Sequence, residues 1–260
     1  MDYETIRVER IGDVLKIVLN RPERLNACPP NMALELADAV GDVGGARAVL
    51  ITGEGRAFCS GADLAARGER SVSGGRGAYN ALTQAYNPLM MTLAHLPVPL
   101  VTAVNGPAAG VGCSIALAAD FVLAGRSAYF LQAFVNIGLV PDGGASWMLT
   151  RLVGKARATE MMMLGEKIGA DKAQDWGLIY KAVDDADLQD EALALATRLA
   201  AGPSVALGVM RQNIARALET DYANALLNEA QGQWRAGDSA DAAEGGRAFL
   251  EKRKPAFKGA

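Results

Sequence analysis

Three short runs leave this chain few folds to choose from. Ala48-Val49-Leu50-Ile51-Thr52-Gly53, Leu100-Val101-Thr102-Ala103-Val104 and Phe121-Val122-Leu123-Ala124 lack the strict apolar–polar alternation of a strand with one wet face. Strands of that kind are buried on both sides, so helices must cover both faces of their sheet. Helical spacing duly appears between them, in Met32, Leu36, Ala39 and Val40 of residues 29–43. Residues 5–20 alternate like two strands folded about Gly12-Asp13, a hairpin. Strands alternating with helices define an α/β class. A length of 260 residues, half of them hydrophobic, suffices to bury one such core.

From about Leu188 the strand signals stop. Residues 190–201, 204–220 and 221–233 read as helices, with Gly202-Pro203 as a break. Helices without a sheet of their own point to a cap or an arm for assembly rather than an independent domain, and the expected division is a core over residues 1–190 and a C-terminal helical oligomerisation region over 191–260. Residues 65–80, rich in Gly, Ser and Arg and poor in apolar side chains, read as a mobile loop.

Charge and composition exclude several chemistries. With 26 Lys+Arg against 29 Asp+Glu, the net charge of −3 offers no field for nucleic acid. Cys28, Cys59 and Cys113 form no CxxC pair, so neither a cysteine-rich metal site nor any other metal centre is expected, and the unpaired, odd count fits a reducing compartment. The most apolar stretch, residues 96–124, is broken by Pro97, Pro99, Asn105, Pro107 and Asp120 and cannot span a membrane. The charged start, Met1-Asp2-Tyr3-Glu4, is no secretory signal, and a cytoplasmic protein is the expectation. His95 is the sole histidine and reads as a helix-end residue, and no Gly-x-Ser-x-Gly elbow exists. Acid–base chemistry must therefore fall to carboxylates.

Three segments repeat one design of strand, glycine turn and helix, around Gly53-Glu54-Gly55, Asn105-Gly106-Pro107-Ala108-Ala109-Gly110-Val111-Gly112 and Pro141-Asp142-Gly143-Gly144. Glycines at a helix N-terminus leave backbone N–H groups unblocked for an anion or a developing oxyanion. Close packing of strand on helix explains the second segment equally well. It is not a nucleotide loop, since no Gly-Lys-Ser/Thr follows and Ile115 stands where a third small residue is needed.

Ala57-Phe58-Cys59-Ser60-Gly61-Ala62-Asp63-Leu64, followed by Asn105-Gly106-x-Ala108-x-Gly110-x-Gly112-Cys113, resembles the crotonase superfamily, the enoyl-CoA hydratase/isomerase family. The likeness runs from Leu19-Asn20-Arg21-Pro22-Glu23-Arg24-Leu25-Asn26-Ala27 to the tail Phe249-Leu250-Glu251-Lys252-Arg253-Lys254-Pro255-Ala256-Phe257. It implies a crotonase-like spiral of ββα units with a C-terminal helical trimerisation region, assembled as a homotrimer or a dimer of trimers. It also implies an acyl-CoA thioester as substrate, no cofactor beyond that coenzyme A, and neither nucleic-acid nor membrane partners. By the same resemblance, the backbone N–H groups of Ala62 and Val111 would hold the thioester oxygen, each donor being worth about 3–4 kcal/mol as enolate charge builds. Arg24 and Leu25 match a turn along the CoA, Ser60, Asp63 and Leu64 the adenine-side loop, and Phe249 and Lys252 residues that a neighbouring subunit contributes.

Hydratases of the family use two glutamates, and the corresponding positions here are Ser114 and Phe134. What remains is Asp142. Spacing alone favours Asp142 as an N-cap of the helix through Trp147. The resemblance of Phe134-Val135-x-Ile137-Gly138-Leu139-Val140-Pro141-Asp142-Gly143-Gly144 to the phenylacetate-pathway isomerase branch makes it the acid/base instead. Phe130, Phe134, Ile137, Leu139 and Trp147 would then enclose it and exclude water. Ser114, Phe134, Leu139 and Trp147 are accordingly the expected pocket residues, and Tyr86, Met90, Met91 and Met161-Met162-Met163 would shape the acyl end or simply fill core. Three rivals stay open: Asp142 as a nucleophile of the dehalogenase type, hydration by Asp142 with Ser114 ordering a water, and a silent acyl-CoA-binding protein.

Overall fold

The computed structural model describes residues 3–63 and 74–260. Its central sheet has the order β1-β2-β3-β4-β6-β9. β1 (Ile6–Ile11) and β2 (Val14–Leu19) form the expected antiparallel hairpin, and β2, β3 (Ala48–Gly53), β4 (Leu100–Val104), β6 (Phe121–Gly125) and β9 (Lys181–Val183) run parallel. A second sheet of very short strands, β5 (Pro107–Ala109), β7 (Tyr129–Leu131) and β8 (Ile168–Gly169), lies beside it. β4 leads into β5 and β6 into β7, while Cys59 pairs with Ala108 and Cys28 with Ala62 in single parallel bridges. Each central strand thus hands the chain to the second layer before a helix returns it, which is the ββα spiral.

Period two along the strands explains the two-sided burial. Val49 and Ile51 of β3 enter the larger core with Met32, Leu36 and Val40 of α1 (Pro30–Gly41), whereas Ala48 and Leu50 face the smaller one. After α2 (Gly74–Ala81) and α3 (Asn87–His95) come the fully buried α4 (Val111–Leu117), then α5 (Ala145–Leu152), α6 (Gly154–Thr159) and α7 (Ala170–Asp175). The smaller core is closed by Leu188, Ala192, Ala196 and Ala200 of α8 (Leu188–Ala200), whose alanines let the helix lie close on the sheet. The expected boundary at residue 190 therefore falls inside a helix that belongs to the sheet's packing.

Beyond it stand α9 (Ser204–Ala217), α10 (Tyr222–Gly237) and α11 (Ala240–Leu250). The last of these was not among the helices read from sequence. Arg211 of α9 ties this arm to the core, with Nε donating to both oxygens of Asp120 at 2.8 Å and the Nη groups to the carbonyls of Leu93, Ala94 and Leu96 at the end of α3. His95 ends α3 as expected, its Nδ1–H donating to the Met91 carbonyl at 2.8 Å.

One expectation needs correction. The loop read over residues 65–80 lies partly outside the described residues, and its end, residues 74–80, is helical in α2, which runs on through a π turn (Leu82–Tyr86) into α3. Only Ala81 of α2 is buried, so the helix shows no apolar stripe in sequence; it exists as the lead-in to a helix that has one. Among the described residues no single helix is long and apolar enough to cross a membrane.

Candidate active site

Two glycine turns meet back to back. In the first, Cys28 N donates to Gly61 O at 2.7 Å and Asp63 N to Cys28 O at 3.0 Å. This parallel pattern occupies the groups on either side of Ala62 and directs the Ala62 N–H away from Cys28. In the second, Gly110 adopts φ 53° and ψ −128°, which side chains disfavour, and delivers the chain into α4 at Val111. The first intrahelical bond is Ser114 N to Gly110 O at 3.2 Å, so the Val111 amide precedes the helix's own acceptors. A Cβ on Gly61 would stand 3.1 Å from Ala109 O, and one on Gly110 would stand 3.7 Å from the Gly61 Cα. Backbone therefore packs on backbone, and the two expected donor residues, Ala62 and Val111, are brought together.

Asp142 arrives from the other side. It does not cap α5, whose N-cap is Gly144 without a side-chain bond. Its carbonyl instead accepts from Ala145 N and from Ser114 Oγ, both at 3.1 Å. Gly143, with φ 59°, sits so tightly that a Cβ there would lie 2.9 Å from Ser114 Cβ and 3.4 Å from Val111 Cγ2. The carboxyl is half-buried, with Oδ1 closed to solvent. Its field reaches Cys28: burial chiefly, then Cys59, with Asp142 contributing, pushes the Cys28 thiol well above its ordinary range. Asp142 is thus flanked by the helix that starts at Val111.

The walls differ from expectation. Phe130 and Phe134 are buried, and the Phe134 ring lies 3.5 Å from where a Gly110 Cβ would stand, directly over the second turn. Ile137, Leu139 and Trp147 are exposed at 56%, 41% and 38%, so within one chain they do not enclose Asp142. Ile137 ends a 3-10 turn, Leu139 follows it, and Trp147 lies on α5, where the Arg151 guanidinium covers its ring at 4.0 Å. Ser114 is wholly buried and lines no open pocket; its hydroxyl is turned to the Asp142 backbone rather than to a water. Of the residues considered for the acyl end, Tyr86 and Met161 are buried, while Met91 and Met163 are exposed.

Of the residues assigned to the coenzyme, Arg24, Leu25 and Ser60 do come together. Ser60 N donates to Leu25 O at 3.0 Å and Ser60 Oγ to Arg24 O at 3.4 Å. Asp63 is buried and accepts from Arg21 Nη1 at 2.9 Å, while the same guanidinium holds Ala27 O at 2.6 Å. In this chain Asp63 therefore clamps one turn to the other, and its carboxylate is spent on Arg21. Leu64 lies outside the described residues. Phe249 and Lys252 sit exposed at the end of α11, apart from this group of contacts. Two supports act in ways the sequence did not suggest. Buried Asn26 donates to Glu54 O and Ala57 O, and Tyr86 Oη donates to Cys28 O at 2.7 Å, holding the strand behind Ala62. Asn26 lay within the Arg-Leu-Asn-Ala motif; nothing in the sequence marked Tyr86 as the partner of the Cys28 carbonyl.

Comparison with known proteins gives this geometry a setting. A family model described as enoyl-CoA hydratase/isomerase matches residues 9–260. The chain is 45% identical to the "Probable enoyl-CoA hydratase" of Rhodobacter capsulatus, over all of both chains. It is 42% identical to the 1,2-epoxyphenylacetyl-CoA isomerase of Escherichia coli, over all of this chain and 99% of that one. The crystal structure of an enoyl-CoA hydratase from Polaromonas superposes with a TM-score of 0.92 at 33% identity, covering 97% of this chain and 99% of the other.

Proposed function

Because the chain belongs to the enoyl-CoA hydratase/isomerase family, we propose that it is an isomerase of acyl-CoA thioesters in which Asp142 is the single acid/base. One observation carries this reading: Asp142 does not cap α5 but is tied to the helix that leaves the second glycine turn, its carbonyl bonded to Ser114 Oγ and Gly143 packed on Ser114 and Val111. The two positions at which the family resemblance would put hydratase glutamates hold a buried serine and a buried phenylalanine.

The chemistry follows from that arrangement. Asp142 takes a proton from the carbon next to the thioester of a 3-enoyl-CoA. The resulting charge spreads along the dienolate to the thioester oxygen, to which the N–H groups of Ala62 and Val111 donate; removing either donor would cost about 10²–10³ in rate. Asp142 then returns the proton to C4, giving the 2-enoyl ester with nothing added or lost. Phe134, over the second turn, keeps water from the reacting carbons and suits an alkenyl or ring-bearing acyl group. No cofactor beyond the coenzyme A of the substrate takes part. The protein works in the cytoplasm as a homotrimer or a dimer of trimers, with Phe249 and Lys252 reaching a neighbour's nucleotide end. The similarity to the Rhodobacter hydratase favours hydration of a 2-enoyl-CoA as the second reading.

Purified protein incubated with 3-hexenoyl-CoA and 2-hexenoyl-CoA, followed by chromatography and mass, separates the two. Conversion of the 3-enoyl to the 2-enoyl ester at constant mass supports isomerisation, whereas a product heavier by one water supports hydration. Asp142→Asn is expected to lower turnover at least 10³-fold while CoA-ester binding persists. Unchanged turnover in that variant removes Asp142 from the mechanism.

A further inference from the structure

Every residue of α4 is buried, and Ser114 carries the helix's only hydrogen-bonding hydroxyl. A serine inside a helix ordinarily turns its hydroxyl back to the carbonyl four residues earlier. Here Ser114 N makes the ordinary helical bond to Gly110 O at 3.2 Å, while the hydroxyl points across to Asp142 O at 3.1 Å. Val111 and Ser114 are three residues apart, so they share one face of the helix. The same face meets Gly143, whose missing Cβ would stand 2.9 Å from Ser114 Cβ, 3.1 Å from Ser114 Oγ and 3.4 Å from Val111 Cγ2. The peptide joining Asp142 to Gly143 is therefore held at its carbonyl by Ser114 Oγ and Ala145 N, and at its next Cα by the bodies of Ser114 and Val111.

We propose that Ser114 is a positioning residue for the reaction: its hydroxyl bond to the Asp142 carbonyl locks the acid/base segment to the helix whose first amide, Val111, is an oxyanion donor. The inference rests on the proposed role of Asp142 and goes beyond it, since it names what sets the distance between the proton-transfer group and the oxyanion site. Ser114 touches no substrate. It fixes the tilt of the 142–143 peptide, and with it the line from the Asp142 carboxylate to the carbon it must deprotonate. A displacement of about 1 Å at such a site costs on the order of 10²-fold in rate.

The test compares Ser114→Ala, Ser114→Cys and Asp142→Asn in 3-hexenoyl-CoA isomerisation, with kcat and KM resolved and melting temperatures recorded. Ser114→Ala should lower kcat about 10–100-fold with KM within about two-fold of the parent. Ser114→Cys, of similar size but a weaker donor, should fall between the two; it also gives the reading if the alanine variant does not fold. A kcat within two-fold of the parent in either variant overturns the positioning role. So does a loss shared equally between kcat and KM with a matching fall in melting temperature, the pattern of a merely structural serine. Asp142→Asn keeps the two ideas apart. Full activity in that variant overturns the acid/base reading, whereas an inactive Asp142→Asn beside a fully active Ser114→Ala overturns only the present inference.

Discussion

Through α8, Phe58, Phe130, Met32 and Leu36 are wholly buried, though Trp147 and Met163 stand open; from α9 onward Met210, Ile214, Tyr222, Trp234 and Phe249 lie open, Trp234 at 73% and Phe249 at 82%. Individual glycines show both extremes, although Gly208 of α9 is as crowded as any in the core, a Cβ there meeting Pro97 O at 2.3 Å, and Gly138 before α5 is open. A Cβ on Gly53, Gly106 or Gly112 would meet a backbone carbonyl oxygen at 2.2–2.3 Å, whereas one on Gly237 or Gly246 would meet nothing within 4 Å. The contrast separates two kinds of specification. In the core each residue is dictated by a neighbour already present in the chain. In the arm the large apolar side chains have no such neighbour, and contiguous exposed apolar surface of that kind marks a face made for a partner.

The largest effect should come from crowding the core side of this contrast. Gly110→Ala forces a side chain into φ 53° and ψ −128° and sets its methyl against Phe134 and the Gly61 Cα. The expected result is a loss of about 10²–10³ in kcat, as for removal of one oxyanion donor, with a stability cost of roughly 1–3 kcal/mol. Steady-state isomerisation of 3-hexenoyl-CoA and a thermal melt measure both. Full activity would move the oxyanion site away from Val111.

On the arm side, Ile214→Glu places a charge on an open apolar position of α9. If α9–α11 form the assembly surface, sedimentation velocity should show a fall in mass toward the single chain of 27.2 kDa. KM for the CoA ester should then rise about ten-fold, because Phe249 and Lys252 no longer reach a neighbour's site. Unchanged mass would break the comparison, since the exposed side chains of α9 would then be exposed in solution too.

These two variants also separate what could be read in the sequence from what could not. β3, β4 and β6 were legible because burial on both faces leaves an unbroken apolar run, and the hairpin because its period is two. β5, β7 and β8 were not, since strands of two or three residues carry no period at all. The glycine turns advertised a backbone site at Ala62 and Val111, yet only the fold shows Gly61 against Gly110. Asp142 looked like a cap by the preference of Asp for that place, but Gly143 and Gly144, both at positive φ, move the cap two residues on. Ile137, Leu139 and Trp147 were read as enclosing walls from their apolar character; which side of a short 3-10 turn faces inward is decided by packing that no local pattern records.

A smaller effect of opposite sign is expected at Gly246, inside α11 with open space where its Cβ would be. Gly246→Ala should raise stability by about 0.5–1 kcal/mol through lower backbone entropy in the unfolded chain. Chemical denaturation measures it. Destabilisation would mean that a neighbouring chain packs against that face, which would sharpen the case for an assembled arm.

The smallest effect is confined to low pH and tests how the arm holds its own end. Glu244 of α11 accepts from Arg253 Nη1 at 2.6 Å, from Nη2 at 2.9 Å and from the Ala256 amide at 2.9 Å, folding the tail back on the helix. Arg253 first and that amide second lower its carboxyl from the ordinary 4.5 to about 2. A carboxyl depressed in the folded state contributes stability that is fully present above the unfolded value and is lost as pH falls from 4.5 toward 2. Glu244→Gln should therefore melt slightly below the parent at pH 7, by no more than a few degrees for an exposed pair. The gap should narrow through pH 4 and close near pH 2. Melting curves that stay parallel down to that pH would assign the tail's attachment instead to buried Asp241, which accepts from the Lys258 and Gly259 amides at 2.7 and 2.8 Å. Arg253 would then be held by Glu251 alone, and the basic end of the chain would be freer to reach a partner than Glu244 now allows.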